Sequence, residues 1–291
     1  MACDALIVRH CEPSTTRPGT SRFVNGRSWE EQLTKDDDSQ VPEADSFEQL
    51  VLAIQQLDRE SSASMLLQPE SGSLAEKEDA VVPLGVTSAT RLLLFSSVDH
   101  LNAVATLQRN YVRSAQAWAT LSRAVIELSA IGIWLTAGDS PKERVRRALM
   151  WHHRDVRYEV QYAGNGEPGG GNNGLTAWIE TAWGALDLPG KPDGFTITRA
   201  LRGAEDATGL PFLRQWQAAS AFAHGRMWPH YRFMDSGEIP SLPGWTYLLV
   251  PDAFQIELVG FAVECHGQLL RRFRDRCGST PATAHNDGPA D

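Results

Sequence analysis

The chain is poor in cysteine, in lysine and in long apolar runs, and each shortage excludes something. The four cysteines in 291 residues, Cys3, Cys11, Cys265 and Cys277, stand near the two ends. That spacing gives no framework for a disulfide-stapled fold, so free thiols in a reducing compartment are expected. No stretch reaches the roughly 18 uncharged apolar residues of a bilayer span, and the best candidate, 124–135, is short and contains Glu127. The first residues hold Asp4 and only Ala5 to Val8 as an apolar run before Arg9, unlike a secretory signal. A cytoplasmic protein without membrane association is therefore expected.

Motifs of metal and phosphate chemistry are also missing. No Glu-x-x-His pair of the kind that builds carboxylate-bridged sites in helical bundles occurs. Cys3, His10 and Cys11 have no second Cys or His pair at zinc-ribbon spacing, and Glu264, Cys265 and His266 are wrongly spaced for a metal. The glycine-rich stretch 164–174 lacks the Lys-Ser/Thr ending of a phosphate loop. Neither a metal nor a cofactor is expected.

What is present is the mixture of an ordinary globular chain, 42% apolar and 22% charged, long enough to bury a large core. The net charge of -9 is unevenly placed: residues 1–90 hold 16 acidic and 7 basic residues, and the remainder is balanced at 20 of each. The acidity, with its run Asp36, Asp37 and Asp38, reads as a solvated N-terminal region and says little about the partners of the core.

Helical periodicity dominates the rest. Asp45 or Ser46 can cap an amphipathic helix over about 45–60, with Phe47, Leu50, Val51, Ile54 and Leu57 on one face. Three long helices follow: about 87–108, with Leu92, Phe95, Val98, Leu101 and Val104; about 113–136; and about 140–162, opened by Ser140, Pro141 and Glu143. Shorter helices are expected at 175–185, 197–206 and 211–223, then a long one at 252–276; only 246–250 looks strand-like. The expected fold is all-α. An irregular bundle of six to seven helices over 87–276 follows an acidic arm, 1–86, which carries the helix 45–60; a disordered tail, 277–291, closes the chain.

Polar residues within apolar helical patterns are costly unless paired, and function often sits there. Asp99 interrupts the first long helix, Arg123 and Glu127 lie four apart on the second, and His224 precedes Gly225 at a helix end. A carboxylate tuned by arginine beside an imidazole able to exchange protons near neutrality would suit acid/base chemistry. On that reading Asp99, Arg123, Glu127 and His224 are the catalytic candidates. Trp118, Trp134, Arg147, His152 and Trp228 are the ligand-binding candidates. The plainer alternatives are an Arg–Glu pair that locks helices, tryptophans that pack the core and a histidine favoured by a helix dipole.

The sequence Arg123-x-x-x-Glu127, Trp134-Leu135, Pro141-x-Glu143-Arg144-x-Arg146-Arg147 and Ser220-x-x-Ala223-His224-Gly225 resembles a loose set of uncharacterised helical proteins from actinomycetes, over residues 90–230. No activity comes with that resemblance. The same helices faintly resemble the HEPN superfamily, whose ribonuclease members carry Arg, four to six residues, then His on a helix; Arg147 and His152 fit that spacing. This resemblance implies a homodimer with the two motifs facing each other.

The leading expectation is a small-molecule-binding protein, a biosynthetic or tailoring enzyme with an acid/base site between core helices. A HEPN-like ribonuclease or RNA-binding module, with nucleic acid as the less favoured partner, and a non-catalytic interaction protein are the alternatives.

Overall fold

The computed structural model describes residues 6–9, 46–80, 85–110, 114–163, 173–233, 235–238, 245–249 and 251–278. The fold is all-α in character, with ten helices among these residues. They are α1 Phe47–Met65, α2 Leu74–Asp79, α3 Val86–Arg109, α4 Ala115–Thr136, α5 Pro141–Ala163, α6 Asn173–Ala185, α7 Ile197–Thr208, α8 Phe212–Ala223, α9 Met227–Phe233 and α10 Asp252–Cys277. The strands β1 Leu6–Arg9, β2 Asp235–Glu238 and β3 Trp245–Leu249 form one antiparallel sheet in the order β1-β3-β2, with Ile7 opposite Tyr247 and Gly237 opposite Tyr247 on its other side.

Helix α4 is the axle of the molecule. It is apolar nearly all round, as a helix surrounded by others must be, and it packs against α3, α7, α8 and α10. Val125, Ile126, Ala130, Ile133 and Leu135 are fully enclosed. By length and composition α4 could also cross a membrane, but 67% of its apolar window is buried by neighbouring helices. Starts are set by side-chain caps: Ser46 Oγ accepts from the Gln49 amide at 3.3 Å, Ser114 from Ala117 at 3.4 Å and Ser140 from Glu143 at 3.2 Å.

Several elements differ from the sequence reading. Helix α1, expected to stop near residue 60, continues to Met65 because the serines that look like breakers find partners: Ser64 Oγ donates to the Glu60 carbonyl, and Ser61 reaches His266. It also joins the core, packing against α3 and α10 through Leu50 and Ile54. Helices α2 and α9 are too short to show a period. With α9, the span 87–276 holds eight helices where six to seven were expected. In α3 the inward face is Leu93, Leu94, Ser97, Val98 and Leu101, whereas Leu92 and Phe95 are exposed. The rest of the N-terminal arm, 1–5, 10–45 and 81–84, and residues 279–291 of the tail lie outside the described residues.

Gly203 marks the closest approach of α7 to α4. A Cβ there would run into the Trp134 indole, which Phe195, Arg147 and Arg199 hold in place. Gly203→Ala should therefore cost about 1–2 kcal/mol in urea unfolding, because the overpacking exceeds the gain in helix propensity. Gly184→Ala, where a Cβ meets open space, is the control; an equal gain at both positions would contradict the close packing.

Candidate functional site

A groove of about 560 Å³ opens where α8, α9 and the start of α10 meet. Its shape begins with a local rule. At the end of α8, His224 is the C-cap and Gly225 takes φ 61°, a left-handed conformation that glycine adopts without strain. The Gly225 amide donates to the Phe222 carbonyl at 3.0 Å and the Arg226 amide to the Ala221 carbonyl at 2.8 Å, the paired bonds of a Schellman turn. The chain then reverses into α9, where the buried His230 ring is bonded through Nδ1 to the Arg226 carbonyl at 2.8 Å. Phe233 stacks on Phe254 of α10 at 4.6 Å, and Phe222 completes this aromatic layer.

The lining is basic and aromatic. Arg214, Arg226 and Arg232 all contribute, and none forms an ion pair among the described residues. Among the described residues Glu257 is the only carboxylate in the lining, and it accepts from Gln215 Nε2 at 3.3 Å. His224 is exposed on the groove, Trp228 is 46% exposed and rests near Phe233, and Trp216 forms part of the wall. Ser220, also in the lining, has a shielded hydroxyl with no hydrogen-bond partner among the described residues.

Behind the wall, Trp216 Nε1 donates to Glu127 Oε2 at 2.9 Å. Arg123 Nη2 approaches the same oxygen at 3.4 Å, and its guanidinium lies over the Trp216 ring at 5.3 Å. The Arg123–Glu127 pair, expected between core helices, is one-quarter exposed and serves to fix an indole. Trp216 and His224 are eight residues apart on α8, about 12 Å along its axis. Glu127 and His224 are therefore not gathered around one bond.

The remaining candidates sit elsewhere. Asp99 is exposed on the outer face of α3 rather than within the bundle. Trp118 is buried edge-on against Phe47, away from the groove. Trp134 is buried under Arg147, whose Nη1 donates to the Trp134 carbonyl at 2.7 Å and whose Nε donates to Glu143 at 2.9 Å, so this arginine ties α5 to the end of α4. The His152 ring meets Trp178 edge-on, with centroids 6.1 Å apart. Hydrogen bonding from Arg146, together with that from Arg147, holds the Glu143 carboxyl down to about 2. The groove thus keeps Trp228 and His224 from the sequence candidates, with Arg123 and Glu127 as supports.

Sequence reasoning missed two buried polar centres. His266 on α10 is completely enclosed, with Nε2 2.8 Å from Ser61 Oγ and Nδ1 2.9 Å from Ser97 Oγ; Ser97 in turn lies 3.4 Å from Ser129. Glu78 on α2 is fully buried between Arg144 of α5, at 2.5 Å, and Arg276 of α10. Among the described residues no group of three or more His, Cys, Asp or Glu side chains is arranged to hold a metal. Comparison with family models, with curated proteins and with solved structures finds no match for the chain.

Proposed function

We infer that the protein binds a small organic anion in the α8–α9–α10 groove, as a biosynthetic or tailoring enzyme whose acid/base group is His224. One observation carries this reading: three arginines that form no ion pair among the described residues share a concave surface with half-exposed tryptophan and an aromatic floor. Guanidinium groups recognise carboxylates and phosphates through forked hydrogen bonds, and an apolar floor takes the organic part of the ligand. Glu127 and Arg123 act through Trp216, by setting the angle of the indole that walls the groove. His224 reaches the groove directly and is the residue placed to exchange a proton with a bound ligand.

Indole-3-acetate, an aromatic carboxylate, is a suitable first probe by isothermal titration calorimetry. Saturable binding to the full chain is expected, weakened about tenfold by Arg226→Gln and again by Arg232→Gln, the usual worth of one charge-assisted bond. Absence of saturable binding by any organic anion, or affinity that ignores both substitutions, would remove this reading.

A further inference from the structure

We propose that the ligand of the groove is a phosphate monoester or diphosphate carried on a planar ring, a nucleoside phosphate being the accessible representative. This rests on the groove being the binding site, as argued above. The inference comes from charge balance. Among the described residues, three arginines line the groove against one carboxylate, Glu257, an excess of two positive charges over the lining as a whole. A monocarboxylate neutralises half of that excess, whereas a phosphate monoester carries between one and a half and two negative charges at neutral pH. Its oxygens also offer acceptors on several sides, which suits the two arginines that flank Trp228 in the chain, Arg226 from the turn before α9 and Arg232 from its last turn, whereas Arg214 stands about 18 Å from Arg226 along α8.

The ring requirement comes from the aromatics. Trp228 sits between Arg226 and Arg232 in the chain, is half-exposed and has Phe233 at 6.0 Å. A planar heterocycle can stack on such an indole, the mode by which aromatic side chains hold bases in single-stranded nucleic-acid complexes. Phosphate and ring are thus addressed by separate residues, which makes them separable by experiment.

The test compares ADP, adenosine, pyrophosphate and indole-3-acetate by calorimetry against the wild-type chain and two variants, Arg226→Gln/Arg232→Gln and Trp228→Ala. ADP should bind at least tenfold more tightly than adenosine and than indole-3-acetate. The double arginine variant should bring ADP down to the affinity of adenosine. Trp228→Ala should weaken ADP and adenosine by fivefold or more and leave pyrophosphate unchanged. Circular dichroism and unfolding midpoints of the variants establish that both fold, which is expected for exposed positions. Indole-3-acetate binding that depends on the arginines, with ADP no tighter, would overturn the phosphate assignment and keep the organic-anion reading. ADP binding that the arginine variant does not change, or no binding by any of the four compounds, would overturn both.

Discussion

Replacing His266 with leucine will lower the thermal unfolding midpoint by roughly 6–12 °C, an effect the side chain earns by joining four helices at one buried point. Its ring nitrogens are shared between Ser61 of α1 and Ser97 of α3, and Ser97 extends the contact to Ser129 of α4. Leucine satisfies neither hydroxyl, Ser97 keeps only its long contact with Ser129, and a buried hydroxyl left unpaired costs about 1–3 kcal/mol. His266→Gln, which retains a donor and an acceptor, should recover part of the loss. An unchanged midpoint for His266→Leu would mean that the serines find other partners at no cost.

The same residue makes folding stability depend on pH. Burial lowers the His266 imidazole from its ordinary 6.5 to about 4, so the folded protein holds the ring neutral where the unfolded chain already binds a proton. Stability is complete above pH 6.5 and falls as the pH drops towards 4, by up to about 1.4 kcal/mol per unit and about 3 kcal/mol in all. Glu143 acts in the same direction but lower down. Its carboxyl, held at about 2, contributes stability that is present above 4.5 and is lost as the pH falls below it. Urea midpoints at pH 7.5 and 5.0 should therefore diverge less in His266→Gln than in the wild-type protein. An equal divergence would assign the acid sensitivity to other groups.

The helices with strong periodicity were legible from the sequence because their apolar spacing is local information. Ser140, Pro141 and Glu143 announced α5, and the run at 246–250 lies within one residue of β3. The phase of a helix is harder to read. In α3 two apolar stripes compete, and packing against α1 and α4 selected Leu93, Leu94 and Ser97 over Leu92 and Phe95, which turned Asp99 outward. His224 and Trp228 could be singled out because a glycine-marked helix end and an aromatic residue are visible locally, whereas Arg214, Arg226 and Arg232 look like any exposed arginines until the Schellman turn folds α9 beside α8. The partners of His266 lie 205 and 169 residues away, and those of Glu78 lie 66 and 198 residues away. No spacing rule reaches that far.

Glu78→Gln will destabilise the protein by about 3–5 kcal/mol, although the residue stands in an acidic segment that reads as solvated surface. The carboxylate has no exposure, one oxygen receives Arg144 Nε at 2.5 Å, and the other receives Arg276 Nη2. Arg144 also donates through Nη1 to the Gly138 carbonyl at 2.5 Å, so the cluster binds α2 and α10 to the turn that starts α5. Burial pushes the Arg276 guanidinium below its ordinary value, and Glu78 is the nearby charge that opposes this. An amide at position 78 would strand two buried guanidinium groups, and removing one partner of a buried ionic cluster is far costlier than replacing the whole cluster. The triple variant Glu78→Leu, Arg144→Met, Arg276→Met should accordingly unfold within about 1–2 kcal/mol of the wild-type protein, with the Gly138 carbonyl as the group it leaves behind. Guanidinium chloride unfolding of the two variants separates the cases. A mild loss in Glu78→Gln would mean that water reaches the cluster, and a triple variant as unstable as the single one would mean that the three charges contribute net stability beyond what apolar packing can replace.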